Sequence, residues 1–243
     1  MNYKLTIAYE GTRYQGWEHQ PGRPTVQGKL EEVLEKFQGA PAEVIGAGRT
    51  DAGVHARAMV ANVHLDTACS PEELKAYMNR YLPEDISVNA CSIAAEGFHA
   101  RYKAIGKCYA YHCWYGERKP VFDRRTLWVL EKQPDLEAMR EAAAYLLGEQ
   151  DFKSFCGNPK FKKSTVRRLT AIEISQNKER ITLSFEGSGF LQNMVRILTG
   201  TLLEVGWGKR RPEDIPAILA ARDRSAAGVT APPQGLTLMR VDY

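Results

Sequence analysis

Hydrophobic positions in the first hundred residues switch between two periods. Tyr3, Leu5, Ile7 and Tyr9 alternate with Lys4, Thr6 and Ala8, the period of a half-buried strand. Val26, Leu30, Val33, Leu34 and Phe37 then recur at helical spacing, with Thr25 as N-cap and Gly39 and Pro41 as stops. Short strands are predicted near 43–47 and 58–65. Ser70-Pro71-Glu72-Glu73 has the form of a capping box with proline at the first helical position, opening a helix that buries Leu74, Tyr77, Met78 and Tyr81. Ile86, Val88 and Ala90 predict the next strand. The order is β-α-β-β-α-β, the split βαβ or ferredoxin-like arrangement.

The second half repeats that pattern without a residue-level repeat. A strand at 107–115 leads, through a hairpin partner near 126–130, into a helix over Leu136, Met139, Ala143 and Leu147 ended by Gly148. Alternating strands follow at 167–175 and 180–186, then a helix from about Phe190 to Val205, a short helix after Pro212 and a last strand at 236–242. The expected fold class is α+β, with two ferredoxin-like halves, 1–104 and 105–243, whose mostly antiparallel sheets join into one central sheet under packed helices.

Composition narrows the class. With 243 residues, 44% hydrophobic and 26% charged, the chain is neither a disordered tail, nor a collagen-like fibre, nor a coiled coil, and it can bury a core without a staple. The net charge of +4 says little, but its distribution says more. Residues 101–125 hold seven Lys or Arg against two acids, with six aromatics, and 152–172 hold six basic residues and no acid. Such stretches suit nucleic acid, although charge runs alone more often are solvated loops. The five cysteines form no C-x-x-C pair and none has zinc-site spacing, so reduced thiols and no metal are expected. The strand-like N-terminus and the lack of an eighteen-residue apolar run predict a cytoplasmic protein without a membrane span.

The candidate chemistry lies in loops. Gly46 to Ala56 packs three glycines around Asp51 and Arg49 between two strands, a setting that can hold an acid rigidly; composition alone would favour a tight turn with a solvated Asp. A reacting Asp needs a cation that keeps it ionised when desolvated, and the candidates are Arg49 and Arg196. Arg196 stands among the apolar Phe190, Met194, Ile197, Leu198 and Leu202, where an arginine either snorkels to solvent or pairs with a buried acid. Gly187-Ser188-Gly189 lacks the third glycine of a dinucleotide fingerprint because Gln192 stands there, so a Rossmann site is rejected. Along 107–115, alternation places Tyr109, Tyr111 and Tyr115 on one face, where rings are usually core but can stack on a nucleobase. No histidine is assigned to catalysis.

Gly48-Arg49-Thr50-Asp51-Ala52-Gly53-Val54-His55-Ala56 resembles the signature loop of the tRNA pseudouridine synthase A family. Other pieces follow in that family's order, among them Phe98-His99-Ala100-Arg101, Lys107-x-Tyr109-x-Tyr111, Asp151-Phe152-x-Ser154-Phe155, Met194-Val195-Arg196 and Gly235-Leu236. The resemblance spans nearly the whole chain. It implies a homodimeric, cofactor-free enzyme that converts uridine to pseudouridine at positions 38, 39 and 40 in the anticodon stem-loop of tRNA, with the tRNA touching both subunits. Carried over, it makes Asp51 the catalytic carboxylate, Arg196 its ion-pair partner, Tyr109 the ring against the target base, Arg49 a helper in base flipping and Leu236 part of the RNA-binding set. From the acid-poor runs, Arg101, Lys107, Lys153, Lys160, Lys162, Lys163, Arg167 and Arg168 are expected to include the phosphate contacts.

Breaking a glycosidic bond develops positive charge on the sugar, which one carboxylate can stabilise, whereas a hydrolase normally wants a second acid and admits water. The signature loop carries no second acid, which favours isomerisation. Two other classes stay open on the residues alone. One is a non-catalytic RNA-binding module, although no RNA-recognition-motif strand is present; the other is an RNA N-glycosidase using the same carboxylate.

Overall fold

A computed structural model describes Met1–Tyr243, and its elements fall into two units: Met1–Ile105 with Leu238–Tyr243, and Gly106–Thr237. The fold is α+β. In the first unit, β1 (Asn2–Tyr9) leads to α1 (Val26–Gln38), β2 (Val44–Gly46), β3 (His55–His64), α2 (Pro71–Tyr81) and β4 (Ile86–Ile93). The strand order β4-β1-β3, with β2 on the outer side of β3, is that of the ferredoxin-like arrangement. All three of these pairings are antiparallel.

Local chemistry explains the helix boundaries. Thr25 Oγ1 accepts the Gly28 N–H at 3.3 Å, and Gly39 ends α1 in the left-handed region at φ 74°. At α2 the Ser70 hydroxyl accepts from Glu73 N while the Glu73 carboxylate accepts from Ser70 N, a complete capping box. Leu30 and Leu34 of α1, Leu74 and Met78 of α2, and Tyr3, Leu5 and Ile7 of β1 are all buried. Each buried leucine contributes about 1.5–3 kcal/mol. Tyr81, expected inside, is instead 53% exposed and packs its ring on Tyr77 at 4.6 Å.

The second unit holds β5 (Gly106–Trp114), β6 (Trp128–Val129), α3 (Leu136–Ala144), β7 (Gly148–Asp151), β8 (Val166–Asn177), β9 (Arg180–Gly187), α4 (Met194–Gly206) and α5 (Ile215–Ala221). Its strand order is β5-β9-β8-β7, with antiparallel pairing throughout that run. Four expectations need correction. The segment at 126–130 is not a hairpin partner: β6 runs parallel to β5, Cys113 opposite Trp128, because the intervening loop carries the chain back to the same end. The third helix stops at Ala144, leaving Leu147 41% exposed, and Gly148 at φ 89° begins β7, a strand too short and polar to alternate visibly. The helix expected from Phe190 begins at Met194, because Asn193 adopts a left-handed φ of 59° and turns the preceding residues out of the axis. The strand expected at 58–65 starts earlier, at His55.

The last strand, β10 (Leu236–Asp242), lies beside β3, and its residues from Leu238 count with the first unit. There Ile105 N donates to Asp242 O at 2.9 Å, Tyr243 Oη donates to Ala100 O at 2.8 Å, and Lys4 Nζ lies 4.4 Å from the Tyr243 ring centre.

Candidate active site

Asp51 lies on the turn between β2 and β3, and this turn is built against a second loop that the sequence patterns passed over. Trp17 N donates to Thr50 O at 3.1 Å, Gly53 N to Tyr14 O at 3.3 Å, and Gly11 N to His55 Nδ1 at 2.9 Å. Within the turn, Val54 N donates to Asp51 O at 3.1 Å, and the buried hydroxyls of Tyr9 and Thr50 are 2.8 Å apart. Two glycines make the approach possible. A Cβ on Gly11 would stand 2.0 Å from Val54 O, and one on Gly16, at φ 95°, would stand 2.7 Å from Thr50 O. Tyr14 is anchored in turn, its hydroxyl donating to Asp85 at 2.6 Å; burial, then that carboxylate, push its pKa above the tyrosine range. Asp51 is therefore half-buried on a turn whose backbone is tied at residues 50, 51, 53 and 54 and whose His55 side chain is tied to Gly11. A bulge at the start of β3, where Ile7 pairs Met59 but Tyr9 pairs Ala56, completes the local re-aiming.

His55 is buried, and because its Nδ1 accepts from Gly11, its ring is neutral with the proton on Nε2. That bond joins the start of β3 to the loop after β1. Arg49, one of the two cations considered for Asp51, is exposed, and its Nε and Nη2 both meet the Glu18 carboxylate.

In the second unit, Arg196 occupies the first turn of α4 and is half-buried. Its Nε donates to Ala231 O at 2.7 Å and its Nη1 to Asn193 Oδ1 at 3.0 Å, while Ala231 N returns a bond to Arg196 O at 3.1 Å. The loop carrying Ala231 is fastened to the same helix further along. Gly228 N donates to Thr201 Oγ1 at 2.9 Å, Val229 N to Glu204 at 3.0 Å, and Glu204 also pairs with Arg210 at 2.6 Å. Gly200 is required there, since a Cβ would lie 1.9 Å from Val229 O. Tyr111 Oη donates to Pro232 O at 2.7 Å, and burial drives its pKa up while the Arg196 charge acts weakly the other way.

Tyr109 is buried on β5, its ring edge-on to Phe190 at 5.2 Å. Phe190 itself lies on the turn before α4 and is half-buried, a placement that the unbroken helix predicted from the sequence did not foresee. Gly157 N donates to Gln192 O at 2.8 Å, bringing the 157–165 loop to the same turn. Arg167 is half-buried against Gly189, donates to Ser164 O at 2.9 Å and Val166 O at 2.6 Å, and has its pKa lowered by burial. Arg101, Arg168, Lys160, Lys162 and Lys163 are exposed, Lys107 and Lys153 half-buried, and Leu236 is buried. Asp151 takes a structural part, accepting from Lys153 N at 3.1 Å and pairing with Arg222 at 3.0 Å.

Sequence patterns placed Tyr9 in a strand without its contact to Thr50, and missed Gly11, Tyr14, Gly16 and Trp17, which brace the Asp51 turn, and Asn193 and Ala231, which aim Arg196. The available signal was the pair of glycines at 11 and 16 between a strand and a helix cap, where no pattern demanded flexibility.

The chain matches the family model described as tRNA pseudouridine synthase over residues 5–103 and 142–243. It is 43% identical over 242 residues to tRNA pseudouridine synthase A 2 of Clostridium perfringens, covering 100% of this chain and 99% of that one. It is 44% identical over 243 residues to tRNA pseudouridine synthase A of Syntrophotalea carbinolica, covering 99% and 95%. A Bacillus sp. tRNA pseudouridine synthase A is 43% identical, covering 100% and 99%. This chain belongs to the tRNA pseudouridine synthase family. Its activity is thus isomerisation of uridine in tRNA, which sets aside both the non-catalytic RNA-binding module and the N-glycosidase. None of its helices is long and apolar enough to cross a membrane.

Proposed function

We propose that the chain forms pseudouridine at positions 38, 39 and 40 of the anticodon stem-loop, in the cytoplasm, as a homodimer whose tRNA touches both subunits, and without a cofactor. Asp51 is the catalytic carboxylate, Arg196 its ion-pair partner, and Tyr109 the ring against the target base. The half carrying the Asp51 turn (1–104) and the half carrying the aromatic strand and the arginine helix (105–243) each supply part of the machinery. Arg49 assists flipping, and Arg101, Lys107, Lys153, Arg167, Arg168 and Leu236 belong to the RNA-binding set. The observation that carries this reading is the bracing of a half-buried carboxylate by four tied backbone positions and the His55 ring, an expense of order that a solvated turn would not need.

The reaction breaks N1–C1′, turns the uracil in place, and joins C5 to C1′; the proton lost from C5 is matched by the one gained at N1. Positive charge grows on the sugar as the first bond opens, and Asp51 meets it electrostatically. Arg196, held by Ala231 and Asn193, keeps the carboxylate ionised in a site that excludes water. The nucleotide must first leave the stem, at a cost of a few kcal/mol, roughly, which phosphate contacts offset. The test is carbodiimide mapping of pseudouridine in tRNA treated with the parent protein or with Asp51→Asn. Signal at 38, 39 and 40 with the parent, and bound but unmodified tRNA with the variant, is expected. Turnover by Asp51→Asn would remove that residue from its role.

A further inference from the structure

Glu18 and Arg49 are both on the surface, with side chains 42% and 63% exposed, yet they are joined through both Nε and Nη2 of the guanidinium. Side-on, two-pronged contact of this kind is the way arginine also grips a phosphodiester. The carboxylate is not a wandering side chain that happened on a cation. On one side of it, the buried Trp17 ties its N–H to Thr50 O and accepts from Gln27 N at 3.0 Å; on the other, His19 N donates to Gln27 Oε1 at 2.9 Å. The His19 ring then meets Glu31 at 2.7 Å, and Glu31 also accepts from Gln27 and from Val44 N. Glu18 is thus presented from a fixed backbone to the residue two before Asp51.

We propose that Glu18 occupies on Arg49 the place of an RNA phosphate, so that the anticodon stem-loop docks by exchanging one oxyanion for another. This rests on the reading of Arg49 as an RNA contact. An exposed pair is weak enough to be traded, and the trade makes Arg49 available only where a phosphate arrives to displace the carboxylate. Glu18 is then a positioning residue: it keeps the guanidinium extended along the turn and lowers the affinity for polyanions that do not reach it. Because Arg49 is already neutralised in the resting protein, its phosphate contact adds almost nothing to the salt dependence of binding.

Affinity of the full chain for a tRNA transcript, measured across a potassium chloride series for the parent, Glu18→Gln, Arg49→Gln and the double variant, tests this. Glu18→Gln is expected to bind about 2- to 5-fold more tightly at low salt. Its plot of log affinity against log salt should steepen by about 0.7–0.9. In the Arg49→Gln background the same change should do neither. A gain that persists without Arg49 would make Glu18 a mere through-space charge, and unchanged or weaker binding by Glu18→Gln would refute the exchange outright. If Arg49→Gln leaves affinity untouched while Asp51→Asn still abolishes turnover, the exchange is wrong and the catalytic reading stands; if Asp51→Asn is active, the catalytic reading falls by itself.

Discussion

Gly11→Ala tests whether the turn bearing Asp51 is held by close backbone approach. The added methyl would sit 2.0 Å from Val54 O, 2.7 Å from Val54 C and 3.1 Å from Val54 N, all backbone atoms that cannot swing aside like a side-chain tip. Ordinary carbon–oxygen contact demands a separation more than about 1 Å larger, so one of the two loops has to move by that amount. Either movement stretches the Gly11 N–His55 Nδ1 bond of 2.9 Å that joins the two loops. Overpacking of this kind costs about 1–3 kcal/mol, which for a chain of this length lowers the melting temperature by roughly 2–12 °C. A displacement of about 1 Å at the carboxylate costs on the order of 100-fold in rate. Thermal melting and single-turnover pseudouridine formation measure the two effects. Gly97→Ala is the control, because a Cβ there meets nothing within 4 Å, and it should stay within about 0.5 kcal/mol of the parent. A Gly11→Ala protein with the parent's melting temperature and rate would refute the bracing argument.

Arg196→Ala removes the donors to Ala231 O and Asn193 Oδ1, so it should cost about 1–3 kcal/mol in denaturant titration and abolish turnover. Parent-like kinetics would end the ion-pair assignment. Arg196→Lys restores the charge but not the planar two-pronged hold, and should not restore the rate. The Ser70 N–H, then the Ser70 hydroxyl, holds the Glu73 carboxyl below its ordinary pKa of 4.5. A group lowered on folding stabilises the protein fully above its unfolded value and loses that contribution as the pH falls through the folded one. Glu73→Gln should therefore show a shallower loss of melting temperature with acidification below pH 4.5 than the parent, and an identical acid limb would contradict the capping box.

Much of this protein is written locally. Alternation at Tyr3, Leu5 and Ile7, the Thr25 and Ser70 caps, and the Gly39 stop specify strands and helices through contacts within a few residues, and the α+β order follows from them. Asp51 and Arg196 stood out for a similar reason, since a carboxylate among glycines and a guanidinium on an apolar helix face break their local patterns. What tertiary structure alone decided are the relations between distant segments. β6 runs parallel to β5 because of where a long loop returns, which no periodicity encodes. The left-handed turn at Asn193 that shortens α4 also lets its side chain aim Arg196, although composition there reads as continuous helix. Gly11 and Gly16 reveal their purpose only once the chain has brought Val54 and Thr50 against them, and Glu18 meets Arg49 across thirty-one positions of sequence. Backbone hydrogen bonding and side-chain burial are local enough to leave a signature in the order of residues. The close approach of two loops depends on every element that carries them, and so it is settled only in three dimensions.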